Sequence, residues 1–269
     1  MKLSKDSPIL EVDYTDGMAP FHFGNSLHKS GFTVVRNHPI DWELINNLYS
    51  GWADFFNSDE KVKYSCDPNK PEGFFPLRIE KGIKNDLKEC FYFYPWSACP
   101  SYLYKTTMSV YNNLLILAEE FLSWLVEHSH AGLRQSIIIK TKQAIHATGG
   151  TLRILHYPAL TEISTDLAAS NTERLVPHKD ISLLTILPVA TNPGLEILDN
   201  KDEWHTIKCK PETVIVNSGN MLSSLTNNYF KSTLHRVSIL DDVIAKNTPR
   251  YSCAFFLTVD TNLTKSLCL

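Results

Sequence analysis

Two pairs of side chains in the C-terminal half of this chain are spaced for chemistry. In VPHKDISLLTIL, His178 and Asp180 stand two apart at the entrance to an apolar strand. Residues i and i+2 of an extended chain project to one face, so an imidazole and a carboxylate emerge side by side while Lys179 turns away. The pair suits one metal ion, and His235 in KSTLHRVS, on another expected strand, is the candidate third ligand. Two neutral imidazoles and one carboxylate on one side of an ion leave its opposite positions open, the facial arrangement of non-haem ferrous oxygenases. In RYSCAFF, Arg250 and Ser252 repeat the period of two, aiming a guanidinium fork and a hydroxyl where a carboxylate could be held by two hydrogen bonds. An arginine pointing into a barrel without an anion would be costly. Tyr157, in LRILHYP, is a candidate third donor.

These residue types leave alternatives open. Zinc also accepts two histidines and one carboxylate, for hydrolysis or for structure, and a jelly roll could keep the pocket as a non-enzymatic binding module. The other histidines read as ordinary hydrogen-bonding side chains. His38, His156 and His205 lack partners at ligand spacing, and His22, His28, His128, His130 and His146 fall in expected loops or towards helix ends.

The elements that must position these groups change character near residue 150. From Asp41 to Phe56, apolar residues recur at helical spacing with Asp41 as N-cap, and a longer helix is expected from about Tyr102 to His130. A third should run from Arg134 to Ala147, ahead of the Gly149-Gly150 break. Beyond it come LRILHY, LLTILPV, LEIL, TVIVNS, STLHRVSIL and RYSCAFFLTV, rich in β-branched and aromatic residues and separated by turn formers. No intervening segment is long and periodic enough to serve as a helical crossover, which argues against a parallel α/β sheet. The expected fold is therefore mainly β with packed helices: a double-sheet jelly roll preceded by a helical section, with residues 9–12 and 32–35 as edge strands.

Composition narrows the function classes. The 269 residues carry 26 basic and 29 acidic side chains, a formal charge of -3, which leaves no global field for nucleic acid or anionic lipid. The six cysteines form no CxxC pair, and they read as mostly buried, neutral thiols rather than a zinc cluster or disulfide framework. Charges interrupt the amino-terminal MKLSKDSPILEVDY and the most apolar helical region, so neither a signal peptide nor a membrane span is expected. A soluble, cytoplasmic protein with a small-molecule partner is the expectation, its oligomeric state unspecified.

The ordered motifs His178-x-Asp180, His235 and Arg250-x-Ser252, with LRILHYP ahead of them and GLEIL between, resemble the isopenicillin N synthase-like family of iron(II)/2-oxoglutarate-dependent dioxygenases. SGFTVVRNHPI and GFFPLRIEKGIKNDLKECFYF resemble the family's N-terminal half. The resemblance implies a double-stranded β-helix spanning 149–269, with 1–148 as a helix and strand region packed on it. It implies Fe(II) on His178, Asp180 and His235, and 2-oxoglutarate with its far carboxylate on Arg250, Ser252 and Tyr157. Dioxygen, succinate and carbon dioxide would complete the reaction, with hydroxylation, desaturation or ring closure of a small molecule as the outcome. A rival within the family uses the Arg-x-Ser pair without consuming 2-oxoglutarate. Leu183, Leu195, Ile197 and Phe256 are the expected apolar lining, and Arg78 and Lys81 candidate substrate selectors.

Overall fold

The apolar runs of the C-terminal half pair into two facing sheets, and four strands from the N-terminal half join the larger one. The computed structural model describes residues 9–67, 72–77, 86–127, 129, 150–163, 173–239 and 243–258. Its strands are β1 (Leu10–Asp13), β2 (Phe32–Arg36), β3 (Gly73–Phe75), β4 (Glu89–Phe93), β5 (Thr151–Tyr157) and β6 (Glu173–His178). There follow β7 (Leu184–Pro188), β8 (Leu195–Leu198), β9 (Trp204–Thr206), β10 (Thr213–Ser218), β11 (His235–Ser238) and β12 (Arg250–Leu257). The large sheet has the order β1-β2-β10-β7-β12-β5-β4-β3, and the small one β6-β11-β8-β9. β1 and β2 pair in parallel at one edge. β2 then joins β10, and β4 joins β5, both antiparallel, so N-terminal residues extend the jelly roll on both sides.

The α-helices among the described residues are α1 (Ala19–Ser30), α2 (Trp42–Phe56), α3 (Ser101–Glu127), α4 (Asn220–Leu225) and the single turn α5 (Val243–Lys246). Asp41 caps α2, its side chain accepting from the Glu43 amide at 2.9 Å, and the stripe Ile45, Leu48, Trp52 and Phe55 is buried. The expected third helix and the candidates Arg78 and Lys81 lie outside the described residues. α1 escapes periodicity because APFHFGNSLHKS is rich in weak helix formers; burial of Phe23 against Phe121 and Trp124 of α3, with Leu27 in the same core, stabilises it instead. It stops at Gly31, whose φ of 76° is left-handed. No helix among the described residues is long and apolar enough to cross a membrane.

Alternation splits the large sheet between two cores. Along β12, Tyr251, Cys253, Phe255 and Leu257 join the core under the helices, with Val214 and Val216 of β10 and Leu152 and Ile154 of β5. Ala254, Ile215, Leu155 and Tyr157 face the small sheet, where they meet Leu195, Ile197 and Val237. The two sets have opposite parity, so Arg250 and Ser252 share the inter-sheet face with Ala254. One expectation is corrected here: Leu183 belongs to the core under the helices, whereas Leu195, Ile197 and Phe256 do pack between the sheets.

Candidate active site

His178 ends β6 and His235 begins β11, and these two residues are direct partners in the antiparallel register of the small sheet. Asp180 lies beyond β6 in the connection to β7, so the two-residue spacing works across a strand end rather than at the entrance to one strand. The chain there passes from the small sheet to the large one, and the carboxylate reaches back towards both imidazoles. Ligand atoms of the three residues lie within 4.8 Å of one another. Asp180 Oδ1 is 3.8 Å from His178 Nε2 and 3.7 Å from His235 Nε2, too far for hydrogen bonds but close enough for one ion to draw them together. The side chains of Asp180 and His235 are 6% and 7% exposed and that of His178 is 34% exposed, so the cluster opens to solvent on the His178 side.

Each ligand is held by its other polar atom. His178 Nδ1 lies 2.9 Å from the Val176 carbonyl and His235 Nδ1 lies 3.2 Å from that of Thr233. A carbonyl only accepts, so Nδ1 carries the proton in both rings and Nε2 presents its lone pair to the shared centre. Asp180 Oδ2 accepts from Thr185 Oγ1 at 2.7 Å and from Asn217 Nδ2 at 2.8 Å, leaving Oδ1 for the ion. Burial alone would raise the Asp180 pKa, but His235, Asn217, Thr185 and His178 outweigh it and hold the carboxyl below its ordinary value. Burial lowers that of His235 despite Asp180. Thr185 and Asn217 were not singled out in the sequence. The available signal was polarity at inward parity in two otherwise apolar strands, LLTILP and TVIVNS.

Deeper between the sheets, Arg250, Ser252 and Tyr157 are brought together. Arg250 Nη1 donates to Ser252 Oγ at 3.1 Å, Nε donates to the Asn192 carbonyl at 2.9 Å, and Cζ stands 5.0 Å from the Tyr157 ring centroid. All three residues are buried. Burial pulls the Arg250 pKa down, countered in part by Tyr157 and Tyr49, yet an arginine stays charged. Among the described residues no carboxylate pairs with it, so the cradle fits an anion supplied from outside the chain.

Among the described residues the remaining histidines go elsewhere; His128, His130 and His146 lie outside them. His156 faces the helices, stacked on Tyr251 and bonded to Glu89 at 2.9 Å. His22 lies within α1 rather than in a loop, and His28 near its end. His205 does have partners: with Asp199 and Glu203 it forms a second cluster of possible metal-binding groups. That cluster is already used within the exposed β8–β9 turn, where Asp199 bonds His205 Nε2 at 2.7 Å and accepts from the Lys201 and Glu203 amides. Burial pushes the Cys90 thiol up to about 11 and those of Cys99, Cys209 and Cys253 to about 12, which keeps them neutral.

A jelly roll with a two-histidine, one-aspartate cluster at its mouth and an anion cradle behind it has the make-up of the non-haem metal oxygenases. The comparisons agree. The family model of the 2OG-Fe(II) oxygenase superfamily matches residues 150–259, and that of the non-haem dioxygenase in morphine synthesis N-terminal region matches 22–113. A putative oxygenase from Shewanella oneidensis superposes with a TM-score of 0.83 at 30% identity, covering 96% of each chain. Jasmonate-induced oxygenase 3 of Arabidopsis thaliana is 26% identical over 247 residues, 87% of this chain and 64% of the relative, so the chain spans under two thirds of that protein. A full-length Neurospora crassa protein, solved in complex with alpha-KG, has a TM-score of 0.78 at 21% identity over 93% of this chain and 85% of its own, a likeness of fold. The chain belongs to the 2OG-Fe(II) oxygenase superfamily.

Proposed function

We propose that the protein is an Fe(II)- and 2-oxoglutarate-dependent oxygenase that hydroxylates, desaturates or cyclises a small molecule, releasing succinate and carbon dioxide. The observation that carries this reading is the pairing of three ligand atoms, each oriented through its residue's other polar atom, with a buried arginine that meets no carboxylate among the described residues. The alpha-KG in the Neurospora crassa structure supports it. His178, Asp180 and His235 are the residues that would hold iron, and Arg250, Ser252 and Tyr157 the far carboxylate of 2-oxoglutarate.

Bound iron, with the keto acid and dioxygen, supplies the oxidising chemistry; the chain supplies orientation and dryness. Val176 and Thr233 hold the two imidazoles in the metal-binding tautomer, and Thr185 with Asn217 keeps the Asp180 carboxylate from rotating away. Arg250 and Ser252 fix one end of the co-substrate. Leu195, Ile197 and Phe256 exclude water from the space between the sheets.

Two measurements test the proposal. Anaerobic addition of ferrous iron and 2-oxoglutarate should produce a weak visible charge-transfer band, which neither a zinc site nor the rival oxidase would give. In air, succinate should form with the wild type and be lost in Asp180→Ala. Wild-type turnover in that variant would remove Asp180 from the ligand set.

A further inference from the structure

The jelly roll has a second opening, on the far side of Arg250 from the metal ligands. A cavity of about 470 Å³ lies there, walled by Val189, Asn192 and Pro193 of the turn after β7, by Leu195 of β8 and Ile215 of β10, and by Ile207 beyond β9. That volume falls within the range of about 300–1,000 Å³ usual for small-molecule sites. The strand registers place it. His235 pairs with Ile197, and Leu195 stands two residues away from it along β8; Asn217 bonds Asp180, and Ile215 stands two residues away from it along β10. Both cavity residues therefore share the inward face of the metal site but lie one repeat further from it. Neither the three ligands nor Ser252 and Tyr157 line the cavity, whereas Arg250 does.

The wall is fixed before any ligand arrives. Pairing between β12 and β7 runs from Leu257 and Leu184 to Phe255 and Ile186. Beyond it the Tyr49 hydroxyl of α2 stands between the strands, accepting from the Cys253 amide at 3.3 Å and lying 3.3 Å from the Pro188 and Val189 carbonyls. The turn is then tied back, the Tyr251 amide donating to Thr191 Oγ1 at 2.9 Å and Asn192 Nδ2 to the Pro249 carbonyl at 2.9 Å. A preformed wall lowers the ordering cost of binding. Among the described residues the charged side chains lining the cavity are both basic, Arg250 buried and Lys208 exposed. Arg250 Nε is bonded to the Asn192 carbonyl, on the cavity side, and Nη1 to Ser252, on the co-substrate side. One guanidinium thus borders both compartments. Its five N–H donors can serve two acceptors, but its single charge balances one anion, so a second anion repels the first.

We propose that this cavity is an effector site for a small apolar monoanion, whose acid group meets Arg250 and Lys208 and whose presence weakens 2-oxoglutarate binding on the other side of the same guanidinium. The inference rests on the oxygenase reading above and adds a means of regulating it. The probe is anilinonaphthalene sulfonate, an apolar monoanion, beside phenylnaphthylamine, the same molecule without its sulfonate. Added to the anaerobic, iron-loaded protein, the sulfonate should bind saturably and more tightly than the neutral amine. Coupling between sites is reciprocal, so saturating 2-oxoglutarate should raise the sulfonate's dissociation constant at least about fivefold and leave that of the amine within about twofold. Ala190→Trp fills the cavity from its wall and Thr206→Trp from its exposed rim. Each should weaken sulfonate binding at least about tenfold while keeping the charge-transfer band with 2-oxoglutarate. Unsaturable binding, an amine as tight as the sulfonate, indifference to 2-oxoglutarate, or full binding in both tryptophan variants would overturn the inference. The wild-type competition and Thr206→Trp keep the test decisive where Ala190→Trp folds poorly. Any of those outcomes beside a normal wild-type band would leave the oxygenase reading standing; absence of the band would overturn that reading and, with it, the regulation proposed here.

Discussion

Replacing Thr185 with valine removes one hydroxyl and little volume, and the structure says what that hydroxyl does. Thr185 Oγ1 donates to Asp180 Oδ2 at 2.7 Å, and Asn217 Nδ2 donates to the same oxygen at 2.8 Å. Together they tie off one carboxylate oxygen so that the other faces both imidazoles. A hydrogen bond to a charged group contributes about 1.5–3 kcal/mol. In the valine variant the carboxylate is free to rotate, and metal binding must restore an orientation that the wild type already has. With about 2 kcal/mol transferred to binding, and about 1.4 kcal/mol per factor of ten, ferrous affinity should fall roughly thirtyfold, within the usual effect of about 10–100-fold for groups that orient metal ligands. The assay is an anaerobic ferrous titration at saturating 2-oxoglutarate, followed by the visible charge-transfer absorption, with Asn217→Leu as a parallel variant. If both variants bound iron within about twofold of wild type, the idea that these donors prepare Asp180 for the metal would be wrong.

Three further outcomes follow from other parts of the molecule. Arg250→Ala should raise the 2-oxoglutarate concentration needed for half-maximal succinate release by about thirtyfold or more, since losing a buried charge pair costs about 2–5 kcal/mol; an unchanged requirement would favour the oxidase that needs no 2-oxoglutarate. Gly31→Ala places a side chain at a φ of 76° and drives its Cβ into the Lys231 carbonyl, so a loss of about 1–3 kcal/mol is expected and should appear as a lower thermal midpoint. Hydrogen bonds from the Glu203 amide, His205 and the Lys201 amide hold Asp199 at about 2, below its ordinary value of 3.8. Its stabilising contribution is therefore complete above about pH 4 and is lost as the pH falls through the folded value; an NMR carboxyl titration midpoint near 4 would contradict those bonds.

Several elements were legible because their signal is local. The cap at Asp41 and the stripe through Trp52 define α2, and β8 and β10 occupy LEIL and TVIVNS as read. α1 was not legible, because contacts with α3 and the sheet edge stabilise it and its own propensities do not. β3, β4, β6 and β9 were also missed: three- to six-residue strands become recognisable when their partners are known.

For the site, residue type and parity identified the side chains able to bind a metal or an anion, because those properties belong to single residues and to the period of two. Parity alone could not say which histidines meet. His178 and His235 share a centre because β6 and β11 pair in one register, while His205 closes a surface turn and His156 faces the helices. Nor could it show that Thr185 and Asn217 converge on one oxygen of Asp180. Donor geometry, burial and unpaired charge are relations between residues distant in the chain, and only the packing of one sheet against the other brings them into existence.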